Sequence, residues 1–543
     1  MTTQLMKNSI LLKYMSEAWR TCRFHQSCGI VALVAAILLA TRAQAAEVEW
    51  TVQTRERGSD KLNVAHPRVD PHKVGVVIVD MWNYHWCMTW TEQAGGMYTR
   101  INKALEGARK LGMSVLWAPT DVASMYAGTP QREHALAIPY VPLPKVRDYS
   151  CAFTIPYGAC HCGPGISCVV NYGHDGMCPG VVIAPDDLIV SGTQELYSIC
   201  KARGLTQLLY LGGAVNICLT GKPEGLKPMY EAGLDGWVAR DLVEAWTEYN
   251  PKRGFTPDMG TAQSVVDLER AGVPTLNMVD ELRRLGLWDE KWITEPVRIT
   301  PAGTTGRPYF FEQSVAISLN TPWLEGAQIH YTLDGTAPTP KSARHDKPVT
   351  VTSTTTLRVA AFRGRRRVSL ESSGYFVHLA APPPTPKVCL DELTPTPDLY
   401  AKISPTFAAC MWEPKFNQSY QGKPLRIRKQ KYEHGLGMRA PAYAKYELKP
   451  EYKRFVALVG VDDTMLDDNL GRSLAMYPSV TFRVFLDGNL AAESPVMRIS
   501  QVPWRFDVPI PPGTRQISLA VTDGGKHSPY NLANWVMAGF TTE

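Results

Sequence analysis

Between residues 70 and 290, short apolar runs alternate with longer stretches of mixed polarity. VGVVIVD (74–80), MSVLWAPTD (113–121), TQLLYLGG (206–213) and GLDGWVARD (233–241) read as strands, most of them too uniformly apolar to have a solvent face. Between them RINKALEGARKLG, TQELYSICKARG and KPEGLKPMYEAG read as helices, each closed by a glycine. This alternation predicts an α/β domain, a parallel sheet with helices on both faces. In such a sheet, chemistry collects beyond the carboxyl ends of the strands.

After about residue 295 the period shortens to two. VAISLN, AQIHYTLDG and TTLRVAAFRG predict a small all-β module over 297–380. APPPTP opens an extended proline-rich linker at 381–387. YKRFVALVGVDD, SVTFRVFLDGN and RQISLAVTDGG predict a second β-sandwich over 388–543.

The N-terminal pattern differs from both. Lys7, Lys13, Arg20, Arg23 and Arg42 against Glu17 hold most of the net charge of +6 and precede or flank the apolar run GIVALVAAILLA. Ala43-Gln44-Ala45 follows as a small-x-small cleavage pattern, so residues 1–45 read as a secretory signal, with an uncleaved anchor as the alternative. The expected location is secreted, periplasmic or cell-envelope, with no membrane span after cleavage. The nearly neutral remainder has no basic stripe for nucleic acid.

Twelve cysteines refine this picture. CAFTIPYGACHCGPGISCVVNYGHDGMC holds Cys151, Cys160, Cys162, Cys168 and Cys178. In an exported chain such density favours disulfides. The competing reading is a metal site built from Cys160, Cys162 and Cys168 with His161 or His174. Cys389 and Cys410, the cysteines of the last module, read as another disulfide.

Two strand ends carry candidate chemistry: Asp80 in VVIVDMWNYHWC, and Cys218 in LLYLGGAVNICLTGKP. A cysteine after a glycine turn, at a helix start, gains thiolate stabilisation from the helix dipole. Turn N–H groups suit an oxyanion, and a nearby acid can carry the thiol proton. Trp82, His85, Trp86, Asp121 and Asn216 are the pocket candidates. His85 reads either as a proton carrier or metal ligand, or as a packing residue under Trp82 and Trp86.

These motifs, with RINKALEGARKLG and VLWAPTD, resemble the isochorismatase-like cysteine hydrolase superfamily over about residues 70–290. The resemblance implies a three-layer α/β/α fold and a cis peptide at Gly213–Ala214. It implies Cys218 as nucleophile, Asp80 as general acid/base, and the N–H groups of Ala214 and Cys218 as oxyanion donors. Amide-cleaving members place a lysine on the preceding strand, where this chain has Val190-Ser191. Lys145 is the replacement considered. No cofactor is expected; a divalent metal is the alternative, with Asp121 and His134 as its candidate ligands. Members often oligomerise, and the β modules leave that open here.

GAQIHYTLDGTAPTPKSARHDKPVTVTSTTTLRVAAFRG resembles the Fn3-like C-terminal domain of chitobiases and hexosaminidases. YEHGLGMRAPAYAKYEL, YKRFVALVGVDD, VTFRVFLDGN and NWVMAGF resemble the NPCBM carbohydrate-binding-module-like domain. That resemblance makes Trp412, His434, Trp504 and Trp535 candidates for a glycan surface, because sugar faces pack on aromatic rings. Two functions follow: an exported hydrolase of a small amide or related C–N bond working through a thioester, or a catalytically inactive envelope protein binding glycan or polymer through its β modules.

Overall fold

The computed structural model describes residues 47–543 apart from 58, 156–159, 164–167, 169–173, 290–294, 397–412 and 526–527. The N-terminal segment read as a secretory signal, Cys410 and Trp412 lie outside the described residues. Everything below belongs to the compact unit Glu49–Glu543.

The apolar runs become the strands of an eight-stranded sheet. In chain order these are β1 (Val52–Arg55), β2 (Leu62–Ala65), β3 (Val74–Val79), β4 (Ser114–Ala118), β5 (Leu188–Ile189), β6 (Gln207–Gly213), β7 (Asp235–Glu244) and β8 (Thr275–Leu276). Their spatial order is β2-β1-β8-β7-β6-β3-β4-β5. From β8 to β5 every pairing is parallel, and the β1–β2 hairpin adds antiparallel at one edge. The chain runs outward from β3 through β4 to β5, then returns to the other side of β3 as β6. The order therefore reverses between β3 and β6.

The central strands are buried along their whole length. Val77 and Val79 of β3 and Leu208 and Tyr210 of β6 share a core with Leu196 and Ile199 of helix α4 (Thr193–Arg203), Met229 of α6 (Leu226–Glu231) and Leu268 of α7 (Pro257–Arg270). Helix α2 (Tyr98–Lys110) buries Ile101, Ala104 and Leu105, and Leu282 of α8 (Met278–Arg284) meets it at Gly107.

The two C-terminal segments form β-sandwiches. Within 298–378, one sheet pairs Arg298–Thr300, Val315–Asn320 and Val349–Val351, and the other is built on Gln328–Thr332, Thr355–Arg363 and Ser372–His378. Within 388–541, Gly435–Arg439, Leu532–Thr541, Arg454–Val461 and Trp504–Pro509 form one sheet, and Ala442–Glu447, Gln516–Asp523 and Ser479–Leu486 form the heart of the other.

The three parts are not strung apart as the linker pattern suggested. Ile299, Ile317, Leu319 and Phe376 of the first sandwich share one core with Cys87, Met88, Trp90 and Trp246 of the α/β domain. Phe310, Val377 and Leu379 pack into the core of the second sandwich. Buried Arg298 reaches Glu244 Oε2 at the end of β7 and Asp258 Oδ1, each at 2.6 Å. Removing one member of a buried pair leaves a desolvated charge behind. Arg298→Ala should therefore lower stability by about 3 kcal/mol, read as a fall in the urea midpoint without loss of far-UV signal in the folded state.

Candidate active site at the strand switch

Parallel register brings the site together. Val79 stands opposite Gly212 on one side and Ala118 on the other, so three strands end level. Asp80 follows β3, and its N–H donates to the Ala118 carbonyl at 3.1 Å. Asp121 follows β4 in the turn Thr120–Tyr126. Gly213 ends β6, and Cys218 opens the four-residue helix α5 (Cys218–Gly221).

The turn depends on its glycines. Gly212 has φ +102°, and a Cβ there would lie 2.2 Å from the Val79 carbonyl oxygen. A Cβ on Gly213 would lie 2.8 Å from the Trp90 ring. The cis peptides among the described residues are Thr300–Pro301 and Ala440–Pro441, and Gly213–Ala214 is not one of them. The positive φ of Gly212 and the unusual Ile217 conformation (φ −138°, ψ −83°) turn the chain instead. The Ala214 carbonyl accepts from the Ile217 and Leu219 N–H groups, and the Ala214 amide faces the Cys218 sulfur.

A lysine does stand at these strand ends, and it comes from another element. Lys222, one turn beyond Cys218 in CLTGK, sets its Nζ 3.1 Å from Asp80 Oδ2 and 3.0 Å from Asp121 Oδ2. Its ammonium also lies over the Trp82 ring, 4.3 Å from the centroid. Lys145 is not the replacement: it is exposed and pairs with Asp148. At the position expected for the lysine, Val190 is buried and donates its N–H to Trp117 O, while Ser191 N–H bonds Glu195. Glu224 closes that strand end, accepting from the Gly192 N–H and from Thr120 Oγ1. Lys222 was legible only as a cation one helical turn from a nucleophile, where i and i+4 share a face.

Charge and burial set the proton positions. Asp80 is 2% exposed, and Lys222 holds it as an ion pair. Burial pushes the Asp80 carboxyl up to about 6, against the pull of Lys222, Thr120 and Cys218. Burial, then the Asp80 charge, pushes the Cys218 thiol up to about 12, against the pull of Lys222 and the Ala214 amide. The dipole of a single-turn helix does not overcome this, so the resting group is a thiol rather than the expected thiolate. Hydrogen bonding from His174, with Lys222 beside it, holds Asp121 down at about 2 despite its partial burial.

The other pocket candidates divide. Trp82 lines the site: it stacks on His174 at 4.0 Å and donates its indole N–H to Pro119 O. Asn216 is spent on structure, its amide donating to Trp246 O and accepting from Trp246 N. His85 is buried among Trp86, Trp90 and Trp246, with Nδ1 accepting from the Cys87 N–H. Burial, with Arg307 nearby, pushes its pKa well down, which fits the packing role. Trp86 packs on Trp246. His134 is exposed on the helix Pro130–Leu136 and does not join Asp121; the histidine beside Asp121 is His174, 3.6 Å away.

The glycan candidates divide as well. Trp535 is wholly buried against Phe506 and Phe482, a core residue that sugar cannot reach. Trp504 packs against Phe310 of the first sandwich. His434 is exposed, with Nδ1 2.8 Å from Asp391 Oδ2, and that carboxylate holds its imidazole above the usual value. No described cysteine forms a disulfide, which corrects the expected bonding of Cys151, Cys160, Cys162, Cys168 and Cys178. The fourth thiol beside Cys160, Cys162 and Cys168 is Cys87, while His161 turns to Thr247 O and Glu244.

Comparison with known proteins places the β modules. Residues 401–541 match the NPCBM/NEW2 domain, and residues 304–372 match the chitobiase/beta-hexosaminidase C-terminal domain. No curated protein matches the chain. CBM51 from Clostridium perfringens GH95, solved in complex with methyl-galactose, is 24% identical, with 28% of this chain and 99% of that one covered and a TM-score of 0.23. The CBM51-2 and INT domains of Clostridium perfringens ZmpB are 20% identical, with 35% and 38% covered and a TM-score of 0.23. The pyrazinamidase of Pyrococcus horikoshii, in complex with zinc, is 11% identical, with 38% and 98% covered and a TM-score of 0.22.

The charges around Cys218 make opposite demands on its alkylation. Asp80→Asn removes the anion that disfavours the thiolate while Lys222 remains, so iodoacetamide should label Cys218 faster at neutral pH. Lys222→Met removes the favouring cation and should slow labelling. Peptide mass spectrometry of the labelled protein reads both rates, and equal rates in all three proteins would show that the two charges do not act on the sulfur.

Proposed function

We propose that the α/β domain is a cysteine hydrolase of the isochorismatase-like type, acting on a small amide or related C–N bond. The observation that carries this reading is the convergence of Cys218, Asp80 and Lys222 at the strand switch, with the Ala214 amide beside the sulfur. Burial raises the Asp80 carboxyl to about 6, which suits it to take and return a proton near neutral pH.

The chemistry follows from that arrangement. Asp80 accepts the Cys218 proton as the sulfur attacks the carbonyl carbon. The oxygen takes up the electron pair of the C=O bond, and the Ala214 and Cys218 N–H groups stabilise it. Collapse expels the amine, which receives the proton from Asp80 and leaves a thioester on Cys218. Water, deprotonated by Asp80, then attacks the thioester and releases the acid and the thiol. Lys222 keeps a positive charge beside Asp80 and the sulfur throughout. The inactive alternative leaned on the lysine missing at Val190-Ser191; Lys222 beside Asp80 supports the active reading over it.

The NPCBM/NEW2 match supports a second part of the reading: residues 388–543 hold the enzyme on glycan, with exposed His434, paired to the largely buried Asp391 carboxylate, at the contact. An exported location suits a soluble hydrolase held on extracellular polymer. No helix among the described residues is long and apolar enough to cross a membrane.

Turnover of a panel of small amides tests the enzyme reading. Cys218→Ala should be inactive, and Asp80→Asn should lose at least about 100-fold in kcat/KM while its alkylation accelerates. Asp80 must be ionised to act as base, and burial raises its pKa to about 6, so kcat/KM should fall as pH drops through about 6. Wild-type activity indistinguishable from Cys218→Ala across the panel would sink the proposal. For the glycan part, the full chain should be retained on an insoluble polysaccharide and released by soluble glycan, and His434→Ala should weaken retention.

A further inference from the structure

Away from Cys218, four sulfurs meet. Cys160 Sγ lies 3.3 Å from Cys87 Sγ, which lies 3.8 Å from Cys162 Sγ, which lies 3.0 Å from Cys168 Sγ. All four lie within 4.8 Å of one another. They come from distant places: Cys87 caps helix α1 (Met88–Gly96), and the other three belong to the cysteine-rich insertion.

Every one of these sulfurs accepts a donor. The N–H groups of Met88, Trp90 and Cys162 reach Cys168, Cys87 and Cys160 at 3.2, 3.5 and 3.4 Å. Thr89 Oγ1 accepts from the Ala302 N–H, which leaves its hydroxyl hydrogen for Cys162 Sγ at 3.1 Å. Arg307 adds a positive charge. Its guanidinium lies over Tyr84 and donates to the carbonyls of His85 and Trp86.

We propose that Cys87, Cys160, Cys162 and Cys168 bind one zinc ion as a tetrathiolate. At a Zn–S distance of about 2.3 Å, tetrahedral sulfurs stand about 3.8 Å apart, so a zinc ion enters this cluster with shifts of under an ångström. A disulfide would instead draw one pair to about 2.05 Å and turn it away from the others. The donors and Arg307 match the surroundings of a site with excess negative charge, in which outer hydrogen bonds stabilise the ligands. The four thiols release their protons on binding. All four coordination positions are filled by protein, which makes the site structural rather than catalytic. The inference is independent of the hydrolase reading.

The test is metal content. Full-length protein purified without a chelating tag should carry about one zinc per chain by plasma mass spectrometry. Cobalt substitution should give the intense visible bands of a tetrahedral thiolate site. Cys87→Ser should lose the zinc, whereas Cys151→Ser, outside the cluster, should keep it. If Cys87→Ser does not fold, X-ray absorption on wild-type protein decides, with an all-sulfur shell expected. Folded protein that takes up no zinc, with Cys87–Cys160 and Cys162–Cys168 disulfides in a non-reducing peptide map, would overturn the proposal. Zinc held by nitrogen and oxygen would overturn it too. Inactivity toward amides would leave it untouched.

Discussion

The whole site depends on one register: Val79 opposite Gly212, with Ala118 level on the far side. Parallel strands buried on both faces cannot slip by one residue without turning every side chain to the wrong layer. Their carboxyl ends are therefore fixed against one another, and so are Asp80, Asp121 and the Cys218 turn. The reversal of strand order between β3 and β6 opens a crevice there, because the following segments leave in opposite directions. Gly212 lets β6 approach β3 closely enough, since a side chain would meet the Val79 carbonyl.

Given that register, the electrostatics follow from burial. Asp80 is buried beside one cation, and Asp121 stands on the solvent side of the same cation. Lys222 therefore bridges an inner carboxylate, raised by desolvation, and an outer one, lowered by its donors. Two carboxylates with pKa values driven apart can hold different protonation states at one pH. The lysine is delivered by the helix turn after the nucleophile rather than by a strand, and its backbone N–H bonds the Cys218 carbonyl. Its position is thereby tied to the nucleophile itself, whereas a strand lysine is tied to the sheet.

What could be read in the sequence follows the length and period of each signal. The runs around Val77, Leu116, Leu209 and Val238 are long and apolar, and each lies in a central strand. Leu188–Ile189 and Thr275–Leu276 are too short to show any period. The Leu62–Ala65 strand lies at the sheet edge, where its exposed residues carry no burial signal, and its partner Val52–Arg55 buries only Val52. Cys218 and Asp80 were legible because strand ends are where this architecture puts chemistry. Lys222 left only its spacing from Cys218 as a signal, because the lysine was sought at Val190-Ser191. Spacing exposed Cys160, Cys162 and Cys168 as a group but could not supply Cys87, which only the fold brings to them. Asn216 and Trp535 mislead for one reason: side chains suited to binding are equally suited to bonding a backbone or filling a core.

The segment from Asp80 to Cys87 connects the two centres. One end carries Asp80, paired with Lys222; the other ends in the thiol cluster. Between them, Trp82 bridges to Met177, the Asn83 N–H donates to Gly176 O, and the Met81 carbonyl accepts from the Cys178 N–H. The insertion is thus held against this segment by one antiparallel bridge. Arg307, from the first β module, holds the carbonyls of His85 and Trp86 from the other side. Among the described residues, the insertion meets the site through His174, which stacks on Trp82 and lies 3.6 Å from Asp121 Oδ2. The insertion and the module both act on the site by fixing the backbone that carries Trp82, and Trp82 in turn cradles the Lys222 ammonium. A β module that looks like an appendage in the sequence is therefore part of what positions the cation next to the candidate base.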